Sequence, residues 1–208
     1  MFVSKTEDVR LVCGMADIDP NKIYTYEDYL MFSHDFRCEI IDGVVYDMAP
    51  APNFGHQLIS GDIFYAIYKY LKSKGGDCKV LSAPLDVFLF ADKDKKDKTI
   101  VQPDIAVICD KQKIEKRGIV GAPDIVVEIL SPFTAKKDIT LKFNKYQQAG
   151  VKEYWVVNPD SQVVQVFKLE DGKYFASSYV EDDKIISYVL SGIDISPKEF
   201  LTQDGGEN

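Results

Sequence analysis

The stretch that decides the fold runs from residue 102 to residue 159: QPDIAVICD (102–110), a charged loop, APDIVVEILSP (122–132), a lysine-bearing segment, then GVKEYWVVNP (150–159). DIAVI and DIVVEIL are short apolar runs without polar alternation, as expected of central strands covered on both faces. Each carries one acid, Asp104 at the start of the first and Glu128 inside the second. A carboxylate in such a strand is costly unless it is paired, protonated or metal-bound. Pro103 biases Gln102 toward extended backbone, so Asp104 is expected at the first residue of its strand. Adjacent strands lie ~4.8 Å apart, so acids level with each other can share one cation. For either acid alone, a lysine partner or a turn cap is the commoner arrangement. The pair, with lysines directly downstream, favours a shared cation. Asp124 belongs to a second Pro-Asp pair and faces the same side as Glu128, but at ~13 Å it is too distant to bind the same ion. It is expected as a loop residue where the strand begins.

Working outward, residues 138–149 have helical periodicity closed by Gly150. Asp138, Lys142 and Tyr146 are spaced i, i+4, i+8 and share one face, with Lys145 close by. A lysine beside a metal-bound water can position a nucleophile or stabilise the charge of a phosphoryl transition state. The alternative is a surface Asp138–Lys142 pair worth a few tenths of a kcal/mol. Two acids and a lysine are the equipment of divalent-metal phosphodiester hydrolysis. The surrounding segment also carries Lys136, Lys137, Lys145 and Lys152. A polyanion would find a patch there, although a solvated lysine-rich face is commoner.

Upstream, residues 25–32 read as a short helix capped by Thr25, and Asp42-Gly43 between two apolar runs signals a hairpin over 37–48. Residues 54–73 read as a long helix stopped by Gly75-Gly76, and residues 79–90 as a strand. DKDKKDK (92–98) reads as an exposed hairpin loop. Downstream, 153–158 and 162–169 read as strands, 173–200 as further short strands, and 202–208 as a frayed tail. The order predicts an α/β (α+β) domain over residues 1–201, with one mixed central sheet flanked by helices. A right-handed crossover is expected between the strands of Glu128 and Tyr154.

The 208 residues suffice for one substantial domain, and 46% apolar content supports a real core. No apolar run reaches membrane-spanning length, and MFVSKTEDVRLVCG lacks the form of a signal peptide, so a cytoplasmic protein with no membrane partner is expected. Cys13, Cys38, Cys78 and Cys109 form no CxxC and are expected as reduced thiols without a disulfide framework. Two histidines leave no room for a multi-histidine zinc site. A net charge of −8 speaks against a generic nucleic-acid coat, but residues 170–208 alone hold nine acids against three lysines, so the rest is nearly neutral. Trp155 is expected as packing, and Tyr146 and Tyr154 either pack or flank the acids. No phosphate loop or Ser-His-Asp motif is present.

The ordered pieces PD, ExLSP, DxxxK and GVxEYW, together with CEIIDGVVYDMAPAPNFGHQ (38–57) and KDITLKFNKYQQAGVKEYWVVNP (137–159), resemble the Uma-two family of endonucleases. That family is a branch of the PD-(D/E)XK nuclease superfamily, and the resemblance covers roughly residues 25–170. It implies a restriction-endonuclease-like core with the metal on Asp104 and Glu128 and Glu39 as an added metal or water ligand. Leu130 stands where the superfamily has its strand lysine, which passes that role to Lys142. His56 matches a family position, implying a substrate-side contact, although a lone histidine heading a helix is more often a cap or packing residue. Lys145 and Lys136 are the other expected substrate contacts. The expected function is a Mg²⁺- or Mn²⁺-dependent DNA endonuclease, with a homodimer suggested by the two-fold symmetry of duplex DNA. The alternatives are a catalytically silent nucleic-acid-binding or protein-interaction domain on the same fold, and hydrolysis of another phosphate ester.

Overall fold

The computed structural model describes residues 12–33, 35–48, 53–90, 96–132 and 135–201, the side chain of Lys136 excepted. The expected frayed tail, 202–208, and residues 92–95 of the charged hairpin loop lie outside these. The chain runs α1 (Tyr26–Tyr29), β1 (Cys38–Ile41), β2 (Val44–Asp47), α2 (Phe54–Lys74), β3 (Lys79–Ser82), β4 (Val87–Phe88), β5 (Ile100–Val101), β6 (Ile105–Ile108). It continues β7 (Ile114–Glu115), β8 (Gly118–Val120), β9 (Ile125–Ile129) and α3 (Ala135–Lys137), which passes through a π-helical turn (Asp138–Lys142) into α4 (Phe143–Ala149). The last elements are β10 (Glu153–Asn158), β11 (Val163–Glu170), β12 (Lys173–Val180) and α5 (Lys198–Leu201).

The strands form two six-stranded sheets among the described residues, where the sequence predicted one. The first has the order β2-β1-β5-β4-β8-β7 and the second β12-β11-β10-β9-β6-β3. The division arises between residues 82 and 87: Pro84 has no N–H to continue a ladder, so the single strand expected over 79–90 breaks into β3 of one sheet and β4 of the other. Residues 110–122, expected as a charged loop, contain the β7–β8 hairpin. Its first strand is exposed at both residues, which leaves no apolar signal to read. After β12 the expected strands give way to coil and α5, whose Ile185, Leu190, Ile193, Ile195 and Phe200 are buried under α2.

Parity along the strands sorts the core, because successive side chains face opposite ways. Ile125, Val127 and Ile129 of β9 and Ile105 and Val107 of β6 pack on α2. Val126, Ala106 and Ile108 face Ile41, Val87, Val101 and Ile119 of the first sheet. The outer face of the first sheet is covered by Tyr24, Phe32 and Phe36. Glu128 shares the parity of Val126, and Glu39 that of Ile41, so both point into the space between the sheets. β9 and β10 are parallel, Glu153 opposite Ile125 through Val157 opposite Ile129, as the expected crossover requires.

Two local expectations need correction. Cys78 and Cys109 are joined in a disulfide, because the β3–β6 register, with Lys79 opposite Ile108, brings the residues flanking those strands face to face. Asp97, within the charged hairpin loop, is buried rather than solvated, accepting hydrogen bonds from Phe90 N at 2.7 Å and Thr99 N at 2.9 Å.

Candidate active site

Asp104 precedes β6 by one residue, and β6 pairs antiparallel with β9 with Ile105 opposite Val127. Continuing that register places Asp104 opposite Glu128. Asp104 Oδ2 accepts Ile129 N–H at 2.8 Å, which fastens the carboxylate to the neighbouring strand. On its other side lies His56, in the first turn of α2, with Nε2 3.3 Å from Asp104 Oδ2. Burial acts against the imidazolium, but the hydrogen bond and charge of Asp104 outweigh it and hold His56 above its ordinary range.

Glu128 and Lys142 form the centre. Lys142 Nζ lies 2.9 Å from Glu128 Oε1, 2.8 Å from Glu39 Oε1 and 3.3 Å from Asp138 Oδ1. All four side chains are buried. Asp138 and Lys142 bracket the π turn, and their i, i+4 spacing sets them on one side of it. The surface ion pair considered above is therefore an interior one. Tyr146, a turn further along, donates its hydroxyl to Glu128 Oε1 at 2.7 Å. Tyr154 donates to the Asp138 carbonyl at 3.1 Å. Lys137 reaches Glu39 Oε2 at 2.5 Å, and Gln102 N–H donates to Glu39 Oε1 at 2.9 Å.

The electrostatics follow from this crowding. Burial drives the Glu128 carboxyl well above the usual glutamate range; Lys142 opposes this, while Asp138, Asp104 and Glu39 add to it. Burial would discharge Lys142, but Glu128 and Glu39 more than reverse it, holding the ammonium charged far above its ordinary range. For Glu39, the cations of Lys142 and Lys137 overcome desolvation and keep the carboxylate ionised below its ordinary range.

The structure thus gathers Asp104, Glu128, Glu39, Lys142 and His56. It places Lys145 elsewhere, with Nζ 2.7 Å from Asp42 Oδ1 at the β1–β2 turn. Lys136 lies in α3, and its side chain is outside the described residues. Asp124 stands apart, accepting from Cys109 N at 2.6 Å and Lys152 Nζ at 2.7 Å. Asp138, Lys137 and Gln102 had no assigned part in the site, and Tyr146 was left between packing and flanking the acids; the i, i+4, i+8 spacing of Asp138, Lys142 and Tyr146 pointed toward Asp138 and Tyr146.

The donor set suits a hard divalent cation, which prefers carboxylate and water oxygens. Glu39 Oε2 and Asp138 Oδ1 are buried without a hydrogen bond, engaged only by the charge of neighbouring lysines. Among the described residues no three His, Cys, Asp or Glu side chains are gathered as a complete ligand set.

The mixed α+β architecture, two mixed sheets with flanking helices, is that of a restriction-endonuclease-like fold. A crystal structure described as "a putative nuclease belonging to DUF820" from Anabaena variabilis superposes with a TM-score of 0.68, covering 86% of this chain and 97% of that one at 21% identity. At that identity the likeness speaks for the fold. Residues 23–197 match Uma2, described as "Putative restriction endonuclease", and the chain belongs to that family. A relative from Synechocystis sp., named as an uncharacterized protein, is 26% identical over 163 residues, covering 76% of this chain and 82% of its own. No helix among the described residues is long and apolar enough to cross a membrane.

Proposed function

We propose that this chain is a Mg²⁺- or Mn²⁺-dependent endonuclease that hydrolyses phosphodiester bonds of DNA. The observation that carries the reading is the register that sets Asp104 opposite Glu128, with the Lys142 ammonium 2.9 Å from Glu128. Asp104 and Glu128 are the residues to hold the metal, with Glu39 assisting. The metal would lower the pKa of a bound water and neutralise charge on the scissile phosphate. Lys142, kept cationic by its carboxylate neighbours, positions the attacking water and offsets charge on the phosphate oxygens. Ile129 N–H and His56 fix the Asp104 carboxylate on one side. Tyr146 orients Glu128. DNA as partner, a homodimer as the working unit and a cytoplasmic location belong to the same proposal.

Plasmid nicking with Mn²⁺ and with Mg²⁺ tests it. Wild-type protein is expected to nick, and Glu128→Ala and Asp104→Asn to lose at least about a hundredfold in rate, the scale of losing a major source of transition-state stabilisation. Equal nicking by all three proteins, or none by the wild type, overturns it.

A second reading is favoured by the way Glu39, Glu128 and Asp138 are already engaged by Lys142. On that reading the cluster is a self-contained ionic core and the domain binds nucleic acid without cutting it. A rise in the wild-type melting temperature with Mn²⁺, absent in Glu128→Ala, separates the two in favour of the nuclease.

A further inference from the structure

Beside the acid cluster, on the other side of Gln102, lies a cavity of about 650 Å³ that the cleavage chemistry does not use. It falls within the ~300–1,000 Å³ typical of small-molecule sites. Tyr29, Phe32 and Phe36 form an aromatic wall, with Phe32 and Phe36 centroids 5.6 Å apart. Arg37, Lys116 and Arg117 also line it, against two acids, Glu115 and Asp86. At its polar end Asp86 Oδ1 accepts from Tyr29 OH at 3.0 Å and from Gln102 Nε2 at 2.8 Å. Asp86 Oδ2 carries no hydrogen bond among the described residues. Gln102 Oε1, beside it, is buried and likewise has none.

The backbone that carries this carboxylate is closely held. Ile119 N–H donates to the Asp86 carbonyl at 2.9 Å. A Cβ at Gly118 would lie 2.2 Å from that same oxygen, so only glycine lets β8 approach so closely. Burial raises the Asp86 carboxyl above its ordinary range, a cost that an N–H donor on the free oxygen would relieve. Gln102 ties this end to the cleavage centre: its own N–H is bonded to Glu39, and its Cα is two residues, at most ~7.6 Å, from that of Asp104.

An aromatic wall, an acceptor carboxylate and cationic side chains are the three contacts a nucleotide offers partners for: a base face, a base edge and a phosphate. We propose that this cavity takes an unstacked nucleobase next to the cleaved phosphate, and that Asp86 selects bases bearing an exocyclic amine, namely cytosine, adenine or guanine, over thymine. The assignment rests on the reading of the chain as acting on DNA.

The test is calorimetric titration, without divalent metal, of the four deoxynucleoside monophosphates and of inorganic phosphate into wild type, Asp86→Asn and Arg117→Ala. Wild type is expected to bind dCMP, dAMP and dGMP saturably and dTMP about tenfold more weakly, the scale of one good base-edge contact. Asp86→Asn, with an unchanged melting temperature, is expected to lose that preference. Arg117→Ala is expected to weaken all four alike. Absence of binding to the wild type, equal binding of the four nucleotides and phosphate, or a preference that survives in Asp86→Asn overturns the proposal. Turnover is not involved, so a protein that binds selectively yet never cuts DNA sinks only the nuclease reading. A protein that cuts without base preference sinks only the pocket.

Discussion

Lys142 is the residue on which the site turns. One ammonium faces Glu39, Glu128 and Asp138 in the interior, so removing it leaves three buried carboxylates without their main counter-charge. Lys142→Met, which keeps an unbranched apolar stem and removes the charge, is expected to lower unfolding stability by about 3–5 kcal/mol, as for a broken buried pair. Chemical denaturation measures this, and a midpoint equal to the wild type's would refute it. His56 gives a second check. Its folded pKa is raised through Asp104, so its stabilising contribution is full below the ordinary histidine value and fades as pH rises through the folded one. NMR titration is expected to find His56 above 6.5 in the wild type, and lower in Asp104→Asn; an unmoved midpoint would detach the two residues. Asp104, Glu128 and Lys142 were legible because charged groups interrupt apolar runs or recur at helical spacing. Gln102 and Lys137 were not, because the contacts that matter are a backbone N–H and a reach across to a distant strand, neither of which leaves a pattern in the sequence.

Among the elements, the β1–β2 hairpin was announced by Asp42-Gly43. Both residues have positive φ, 53° and 81°, as a tight two-residue turn requires. A Cβ at Gly43 would also meet Ile23 Cγ2 at 2.4 Å. Gly43→Ala is expected to cost more than about 1 kcal/mol and, because β1 carries Glu39, to depress nicking as well. A stable and fully active Gly43→Ala protein would show that the turn does not position the site. The hairpin β7–β8 and the split between β3 and β4 were missed for opposite reasons: two exposed residues gave the first no apolar signature, and an apolar run that spans both sheets concealed the second. The π turn is equally silent in sequence, since Asp138 and Lys142 have the same spacing on an ordinary helix.

At the scale of the molecule, the interior is rich in groups that resist ionisation. Burial raises the hydroxyls of Tyr29, Tyr146, Tyr154 and Tyr174, and lifts the Cys38 thiol to about 12. In the unfolded chain the same groups release protons nearer 9 to 10. The folded form therefore holds more protons in that range, and stability falls as pH rises. The melting temperature is expected to decline steadily from about pH 9 upward, with tyrosinate absorbance from these residues appearing only on unfolding. A flat profile to pH 11 would contradict the burial described. The presence of two sheets rather than one is also a property of this scale. Local periodicity reports what each strand buries, but not which neighbour supplies the cover.

Trp155 is the chain's only tryptophan, and it sits in β10, packed against α2 in the core of the second sheet. Its Nε1 is bonded to Glu153, which also receives Ser187 Oγ and the backbone N–H groups of Tyr188 and Val189. Intrinsic fluorescence therefore watches one half of the molecule. Glu39 belongs to the other half, and the ion pairs that complete the acid cluster form only where the two halves meet. A sample can display a native emission spectrum while the first sheet is loosened and the cluster dismantled, so light from Trp155 counts folded cores, not assembled sites.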